Sequence, residues 1–187
     1  DQFIDRTYLR EKSFFGKGCV AHVSLAHPTC NNFSKVIFEI GKKLDINIQL
    51  GGTYMTMEGP QFSTLAESKL YKDNWKCDVI GMTNMPEAKL AKEAEICYTS
   101  LSMVTDFDCW HPDHDSVEVS DIIETLTNNS SKAQRIIETL PEFLKSNKDL
   151  CSLGCNNALD NAIITAPEKR DPKVLKTLDV LLQRLNK

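Results

Sequence analysis

The chain has 187 residues, 41% of them hydrophobic and 26% charged, with a net charge of -4, which suits a single domain with a sizeable core. No Lys/Arg cluster is interleaved with aromatics, no apolar run approaches the ~18 residues of a spanning helix, and no secretory pattern opens the chain, so nucleic-acid, membrane and secretory classes are not expected. The seven cysteines are odd in number and mostly scattered in apolar stretches such as Lys76-Cys77-Asp78-Val79-Ile80, a usage that predicts free thiols in a reducing cytoplasm rather than a disulfide framework.

The opening Asp1-Gln2-Phe3-Ile4-Asp5-Arg6-Thr7 has no Met, no helix cap and no targeting character, and reads as the interior of a larger protein. Cys19-Val20-Ala21-His22-Val23 has the look of a short strand or extended segment. A helix is predicted from Thr29 or Asn31, either of which can cap it, to about Leu44, with Phe33, Val36, Ile37, Ile40 and Leu44 on one face. Ile46–Leu50 and Thr53–Met57 are strand candidates separated by Gly51-Gly52. After the Gly59-Pro60 turn, Thr64-x-x-Glu67 is a capping-box pattern opening a helix to about Lys72. Cys77–Met82 is an apolar run of strand length, Pro86 and Glu87 open another helix, and Ile96–Val104 is a further strand candidate.

Asp106–Ser116 is polar and reads as an exposed loop. A long amphipathic helix follows, carrying Val119, Ile122, Ile123, Leu126, Ala133, Ile136, Ile137 and Leu140 at helical spacing, with Asn128-Asn129-Ser130-Ser131 expected to loosen it midway. A terminal helix from Pro172 carries the stripe Val174, Leu175, Leu178, Leu181, Leu182 and Leu185, read as a core or subunit contact. Strand-length apolar runs alternating with helices predict an α/β fold with a largely buried sheet.

In such sheets, ligands gather at the carboxyl ends of the strands. Three turns fall there by this reading: Glu58-Gly59-Pro60-Gln61-Phe62-Ser63, Gly81-Met82-Thr83-Asn84 and Thr105-Asp106-Phe107-Asp108. Any one alone is ordinary turn chemistry. Three in succession, each with small or polar groups, suit a common pocket.

These residues also carry a resemblance. Glu58-Gly59-Pro60-Gln61-Phe62-Ser63-Thr64 with Ala66-Glu67-Ser68 resembles the signature turn of the trimeric purine nucleoside phosphorylase family. Gly81-Met82-Thr83-Asn84-Met85-Pro86-Glu87 resembles that family's strand-to-helix turn with ribose and phosphate contacts. Thr105-Asp106-Phe107-Asp108-Cys109-Trp110 resembles the base-recognition segment of the branch acting on 5'-methylthioadenosine. The resemblance runs from Asp1 to about Leu140. It implies the C-terminal portion of the family's fold, a mixed central sheet flanked by helices, with the N-terminal part lying outside the chain.

The resemblance implies a role for each matching position. Thr83 would bind phosphate, with Thr105 near it, and Met82 would lie against the ribose. Phe62 would stack on or edge the purine, while Asp106 and Asp108 would face its N7 and 6-amino edge. Val119 and Ile122 would form an apolar slot for the 5'-methylthio group. His22 would close the 5' side of a neighbouring subunit's site, which implies a homotrimer. Inorganic phosphate would be the co-substrate, with no cofactor and no metal.

Members acting on 6-oxopurines carry Glu at the position of Ser63 and Asn at that of Asp106. An ionised Asp offers only acceptors, which suit an exocyclic amine and leave a 6-oxo group facing unpaired charge. The reaction implied is attack of phosphate on C1' as adenine leaves, through an oxocarbenium-like state. Asp106 can donate to N7 only while protonated, so a raised pKa in a closed pocket would suit it. Alternatives are the same fold acting on adenosine or 6-oxopurine nucleosides, and a non-catalytic partial chain.

Other motifs carry less. Cys109-x-His111-x-x-His114, with Asp113 and Asp115, has metal-ligand residue types at a spacing that fits no tetrahedral structural site. Cys151 and Cys155 stand four apart, a spacing open to a disulfide or redox role but read as two ordinary thiols. His27, before Pro28, reads as a loop histidine.

Overall fold

A computed structural model describes residues 1–111, 119–146, 151 and 153–185, excepting the side chains of 119–122 and 146. Three strands, β1 (Gln2–Arg6), β2 (Thr53–Met57) and β3 (Val79–Gly81), form a parallel sheet in the order β1-β2-β3. Phe3 pairs with Tyr54 and Met55 with Ile80, so the carboxyl ends of all three strands meet along one edge. The middle strand is the driest part, with Met55 and Thr56 fully buried. Antiparallel pairing among the described residues is confined to two isolated bridges, Gly16 with Cys19 and Ala21 with Ile163.

Parallel neighbours need crossovers that cover the sheet. The first contains α1 (Asn31–Lys43), and the second contains α2 (Leu65–Lys69), which runs into a single π-turn at Leu70–Asn74. The Thr64 hydroxyl accepts from the Glu67 amide at 3.3 Å, and Glu67 Oε2 accepts from the Thr64 amide at 2.8 Å. This is the capping box that the sequence spells. At α1 the cap position falls to Cys30, between the two expected residues, and no side-chain bond is made there. Thr29 is turned away, donating its hydroxyl to the Asp1 carbonyl at 3.2 Å.

Helix α3 (Glu87–Glu93) follows β3, and α4 (Val119–Ser146) lies across α1. Ile136 of α4 packs with Ile40 and Ile46 in one apolar cluster, with Leu101 and Leu140 at its margin. Asn128–Ser131 does not interrupt α4. Asn129 instead donates through Nδ2 to the Val104 carbonyl at 2.8 Å, and the Ser130 hydroxyl meets Met103 Sδ at 3.7 Å. The polar run fastens the helix to the 103–104 segment, so its side chains bond across the gap and leave the helix backbone alone.

Two apolar runs are not strands. In Ile46–Leu50 the Ile46 amide closes the end of α1 by donating to the Gly41 carbonyl at 2.9 Å, and Ile48 packs beside it. In Ile96–Val104 the Tyr98 carbonyl accepts from the Cys30 amide at 2.7 Å, and no ladder follows. Core contact falls to Ile46 and Ile48 in the first run and to Leu101 in the second, while Leu50, Ile96, Met103 and Val104 are exposed. Short apolar runs of this kind cannot be told from strands by pattern alone.

The terminal helix breaks at Leu178 into α5 (Pro172–Thr177) and α6 (Asp179–Leu182). Leu178 and Leu182 are buried with Phe15, Cys19, Leu159 and Ala162 in a second cluster, onto which Val174, Leu175 and Leu181 pack. The stripe is therefore core within this chain. Val20 and His22 bond Ile164 and Ala162 here, so Cys19–Val23 is extended as expected. Among the described residues no helix is long and apolar enough to cross a membrane.

Candidate active site

The turns after β2 and β3 are clamped together by Arg10, from the segment following β1. Its guanidinium donates to the carbonyls of Glu58, at 3.1 Å, and Met82, at 2.8 Å, and also reaches those of Met85 and Met57. It pairs as well with Glu58 Oε1 at 3.1 Å. A planar fork with five donors suits several fixed acceptors at once. The other Glu58 oxygen accepts from the Tyr8 and Leu9 amides, and those amides together with Arg10 hold its carboxyl below the usual range. Glu58, the first residue of the signature turn, is thus committed to building the turn. Asp5, near the end of β1, binds Lys12, Lys89 and Thr7. Burial acts to raise its carboxyl, but these donors prevail and hold it well below the carboxylate range.

Two glycines have specific steric reasons. Gly59 has φ of 74°, and a Cβ there would stand 2.7 Å from Met82 Sδ. At Gly81 a Cβ would come within 1.8 Å of the Tyr54 hydroxyl, so the ring from β2 lies directly over the end of β3. That hydroxyl is 3.3 Å from Thr83 Oγ1, and the Thr56 hydroxyl donates to the Thr83 carbonyl at 2.9 Å. Asn84, at a left-handed φ of 72°, turns the chain into α3. Its Oδ1 accepts from Tyr98, at 3.0 Å, and from Ser100, at 3.1 Å.

The third turn is tied to α2. The buried Ser68 hydroxyl donates to Asp108 Oδ2 at 2.6 Å, and the Cys109 amide donates to Asp108 Oδ1 at 2.8 Å. Asp106 differs: one oxygen accepts from the Thr105 hydroxyl at 2.6 Å, and Asp106 is exposed. Trp110 closes the turn, with Lys72 Nζ 3.0 Å from its ring centroid and Phe107 edge-on at 5.9 Å.

These turns enclose a cleft of about 1080 Å³. Phe62, Ser63, Met82, Thr83, Thr105, Asp106 and Asp108 all line it, so the structure brings together the positions of the three turns to which a ligand contact was assigned. Phe62 is 85% exposed, its ring at the mouth of the cleft. Thr125 and Leu126 of α4 line the cleft as well. Val119 and Ile122 lie on the first turn of that helix, with side chains outside the described residues. His114, Asp113 and Asp115 also lie outside them. His22 is exposed and does not line the cleft of its own chain.

Sequence reading missed Arg10, Tyr54 and the bonding of Ser68. Nothing local marks Arg10, since its acceptors lie 47 to 75 positions away. Tyr54 hides in an ordinary strand pattern, and Ser68 was visible as part of the Ala66-Glu67-Ser68 motif without a role attached.

The cleft can offer acceptors to a donor-rich ligand edge, hydroxyls to an anion or a sugar, and aromatic and thioether surface to a ring. Residues 1–142 match the family model described as the phosphorylase superfamily. A relative from Cereibacter sphaeroides, named S-methyl-5'-thioadenosine phosphorylase, is 58% identical over all of this chain and 64% of its own length. A methylthioadenosine phosphorylase from an antarctic soil metagenomic library superposes with a TM-score of 0.89 at 41% identity, over 97% of this chain and 63% of the other. The methylthioadenosine phosphorylase of Schistosoma mansoni, solved with adenine, gives 0.67 at 28% identity, over 80% and 62%. The chain thus spans a little under two thirds of the relatives it matches. By the family match over most of its length, and by the α/β frame and the turns that meet at its strand ends, the chain belongs to the phosphorylase superfamily.

Proposed function

We propose that the protein is a pentosyltransferase that cleaves 5'-methylthioadenosine with inorganic phosphate, giving adenine and 5-methylthioribose 1-phosphate in purine and methionine salvage. The observation that carries this reading is the pair of carboxylates on the cleft wall, Asp108 anchored on both oxygens and Asp106 exposed beside it. An ionised carboxylate accepts and does not donate. It complements a purine bearing a 6-amino group, and Ser63 adds no acidic acceptor for the N1 proton of a 6-oxopurine. The relatives' names agree with this choice.

In this reading the purine lies between Phe62 and the carboxylates, with Met82 under the ribose. Thr83 holds a phosphate, its backbone fixed by Thr56 and its hydroxyl near that of Tyr54. Phosphate attacks C1' as the glycosidic bond breaks, and the anion beside C1' stabilises the oxocarbenium-like centre. A proton delivered to N7 neutralises the departing adenine. Asp106, assigned to that edge, gives it only in its protonated form, which leaves Asp108 as the ionised acceptor for the 6-amino group. Val119 and Ile122 supply the apolar slot for the methylthio group. His22, exposed and away from its own cleft, closes the 5' side of a neighbour's site in a homotrimer. The chain is the C-terminal part of one nucleoside phosphorylase domain working in the cytoplasm.

The test is kcat/KM for methylthioadenosine, adenosine and inosine in the wild type, Asp106→Asn, Ser63→Glu and the double variant. Methylthioadenosine leads in the wild type, by ~10-fold or more over adenosine if a single apolar group is worth its usual 1–3 kcal/mol. Asp106→Asn raises the inosine-to-methylthioadenosine ratio, and adding Ser63→Glu raises it beyond the product of the single effects, because both groups share one ligand. A ratio that stays flat across all four proteins removes the reading of base choice.

A further inference from the structure

Four of the seven cysteines converge at one point, away from the cleft. Cys30, Cys97, Cys151 and Cys155 place their sulfurs all within 4.8 Å of one another. Cys30 and Cys155 are buried, and Cys97 and Cys151 are half-buried. They come from three parts of the chain: the cap of α1, the segment after α3, and the stretch leading to the tail. We propose that these four thiolates bind a single tetrahedral zinc ion that fastens the tail to the sheet region.

The geometry suits that ion. Zn–S bonds of about 2.3 Å in a tetrahedron set sulfurs roughly 3.8 Å apart, so the four need only close slightly on a shared centre. Four sulfurs with no oxygen or nitrogen ligand among the described residues make a soft set, the kind that selects zinc over magnesium or calcium. Cys151-x-x-x-Cys155 falls within the two-to-four-residue spacing common to zinc-ligand pairs. Gly154 is left-handed, with φ of 63°, and the turn it makes points the Cys155 amide at Cys151 Sγ, 3.1 Å away. An amide donating to sulfur is the outer support that metal-bound thiolates use. Cys30 at the start of a 13-residue helix gains from the positive end of its dipole.

Lys92 supplies the charge argument. It is 7% exposed, and its Nζ sits 3.8 Å from Cys155 Sγ, the one hydrogen bond its ammonium makes among the described residues. Lysine is almost never this buried without a partner, and a neutral thiol is a poor one. Zinc with four thiolates carries a charge of minus two, so an adjacent ammonium offsets part of it. On binding, the four thiols release their protons to solvent and the ion takes their place.

The protein purified under reducing conditions without chelator is to be assayed for metal by mass spectrometry, and again after exposure of the reduced, metal-stripped form to zinc or cobalt. About one zinc per protomer is expected. The cobalt form should show sulfur-to-metal charge transfer with the visible bands of a tetrahedral site. Cys97→Ser and Cys151→Ser, which each remove a proposed ligand, should lower zinc affinity by more than the roughly 10–100-fold that loss of an outer-shell partner costs, while Cys77→Ser keeps it. Metal content of the wild type stands as a readout even where a variant fails to fold. Absence of zinc with no uptake of either ion overturns the site. So does a disulfide among these four cysteines that persists in the protein purified under reducing conditions, or an iron–sulfur chromophore in place of a single ion.

Discussion

The cleft rim and the tail are held by different forces. Around the cleft, the turns at Glu58, Met82 and Thr105 are joined mostly by charged and hydroxyl side chains bonding backbone, with Arg10, Thr56 and Ser68 as the main fasteners. The tail from Cys155 onward is held chiefly by Leu159, Ala162, Leu178 and Leu182 against Phe15 and Cys19. Directional bonds fix where a carboxylate or hydroxyl points. Apolar packing only demands that volumes fit. A rim carrying reactive groups is positioned by donors and acceptors, so a change there should alter chemistry along with stability. In the tail the two should separate.

The largest effect expected is in the tail. Leu159 is 1% exposed, and Leu159→Ala should cost about 2–5 kcal/mol through lost burial and the cavity left behind. Urea unfolding measures this, and kcat/KM of the folded protein should hardly change. A matching collapse in kcat/KM at temperatures where the variant is fully folded would mean that the tail shapes the cleft directly.

Arg10→Ala comes next, and breaks both quantities at once. It strands the carbonyls of Glu58 and Met82, for a loss of about 1.5–3 kcal/mol, and takes the ion-pair partner from Glu58. The turns after β2 and β3 then lose their common tie, and a displacement of about 1 Å in positioning groups lowers kcat/KM by ~100-fold. Arg10→Lys should recover little, since an ammonium cannot span acceptors on two turns. If Arg10→Ala loses stability and keeps its kinetics, the rim is not positioned in the way described.

What the sequence made legible follows the same division. The capping box at Thr64, the helix through Ile136 and the three turns are local patterns, each carried by residues close in the chain, and each is present. Strand β1 was not read, because Gln2–Arg6 carries only Phe3 and Ile4 as apolar residues and owes its form to pairing with β2. Arg10 reads as one more surface charge until its carbonyl partners are brought up by the fold. The cysteines show the limit most clearly. Cys151 and Cys155 are visible as a pair, but Cys30 and Cys97 join them only when α1 is placed beside the segment after α3. Long-range convergence leaves no spacing to read.

The smallest effect expected separates the two carboxylates, which the sequence treats alike. Asp108 has both oxygens occupied, by the Ser68 hydroxyl and the Cys109 amide, whereas Asp106 is exposed and, among the described residues, leans on Thr105 alone. If Asp108 is a fixed post and Asp106 the group that meets the base, Ser68→Ala should act through Asp108 alone. Losing one hydrogen bond to a carboxylate is worth about 1.5–3 kcal/mol at most, and solvent reaching the half-buried Asp108 reduces that to roughly 1 kcal/mol, or about fivefold in kcat/KM. Residues sharing a bond are non-additive, and independent ones add to within about 0.5 kcal/mol. Ser68→Ala combined with Asp108→Asn should therefore cost less than the sum of the two, while Ser68→Ala combined with Asp106→Asn should equal it. Kinetics of the five proteins against the wild type decide the matter. Coupling of Ser68 to Asp106 in place of Asp108 would show that the two acids work as one unit, and the assignment of distinct tasks to them would fall.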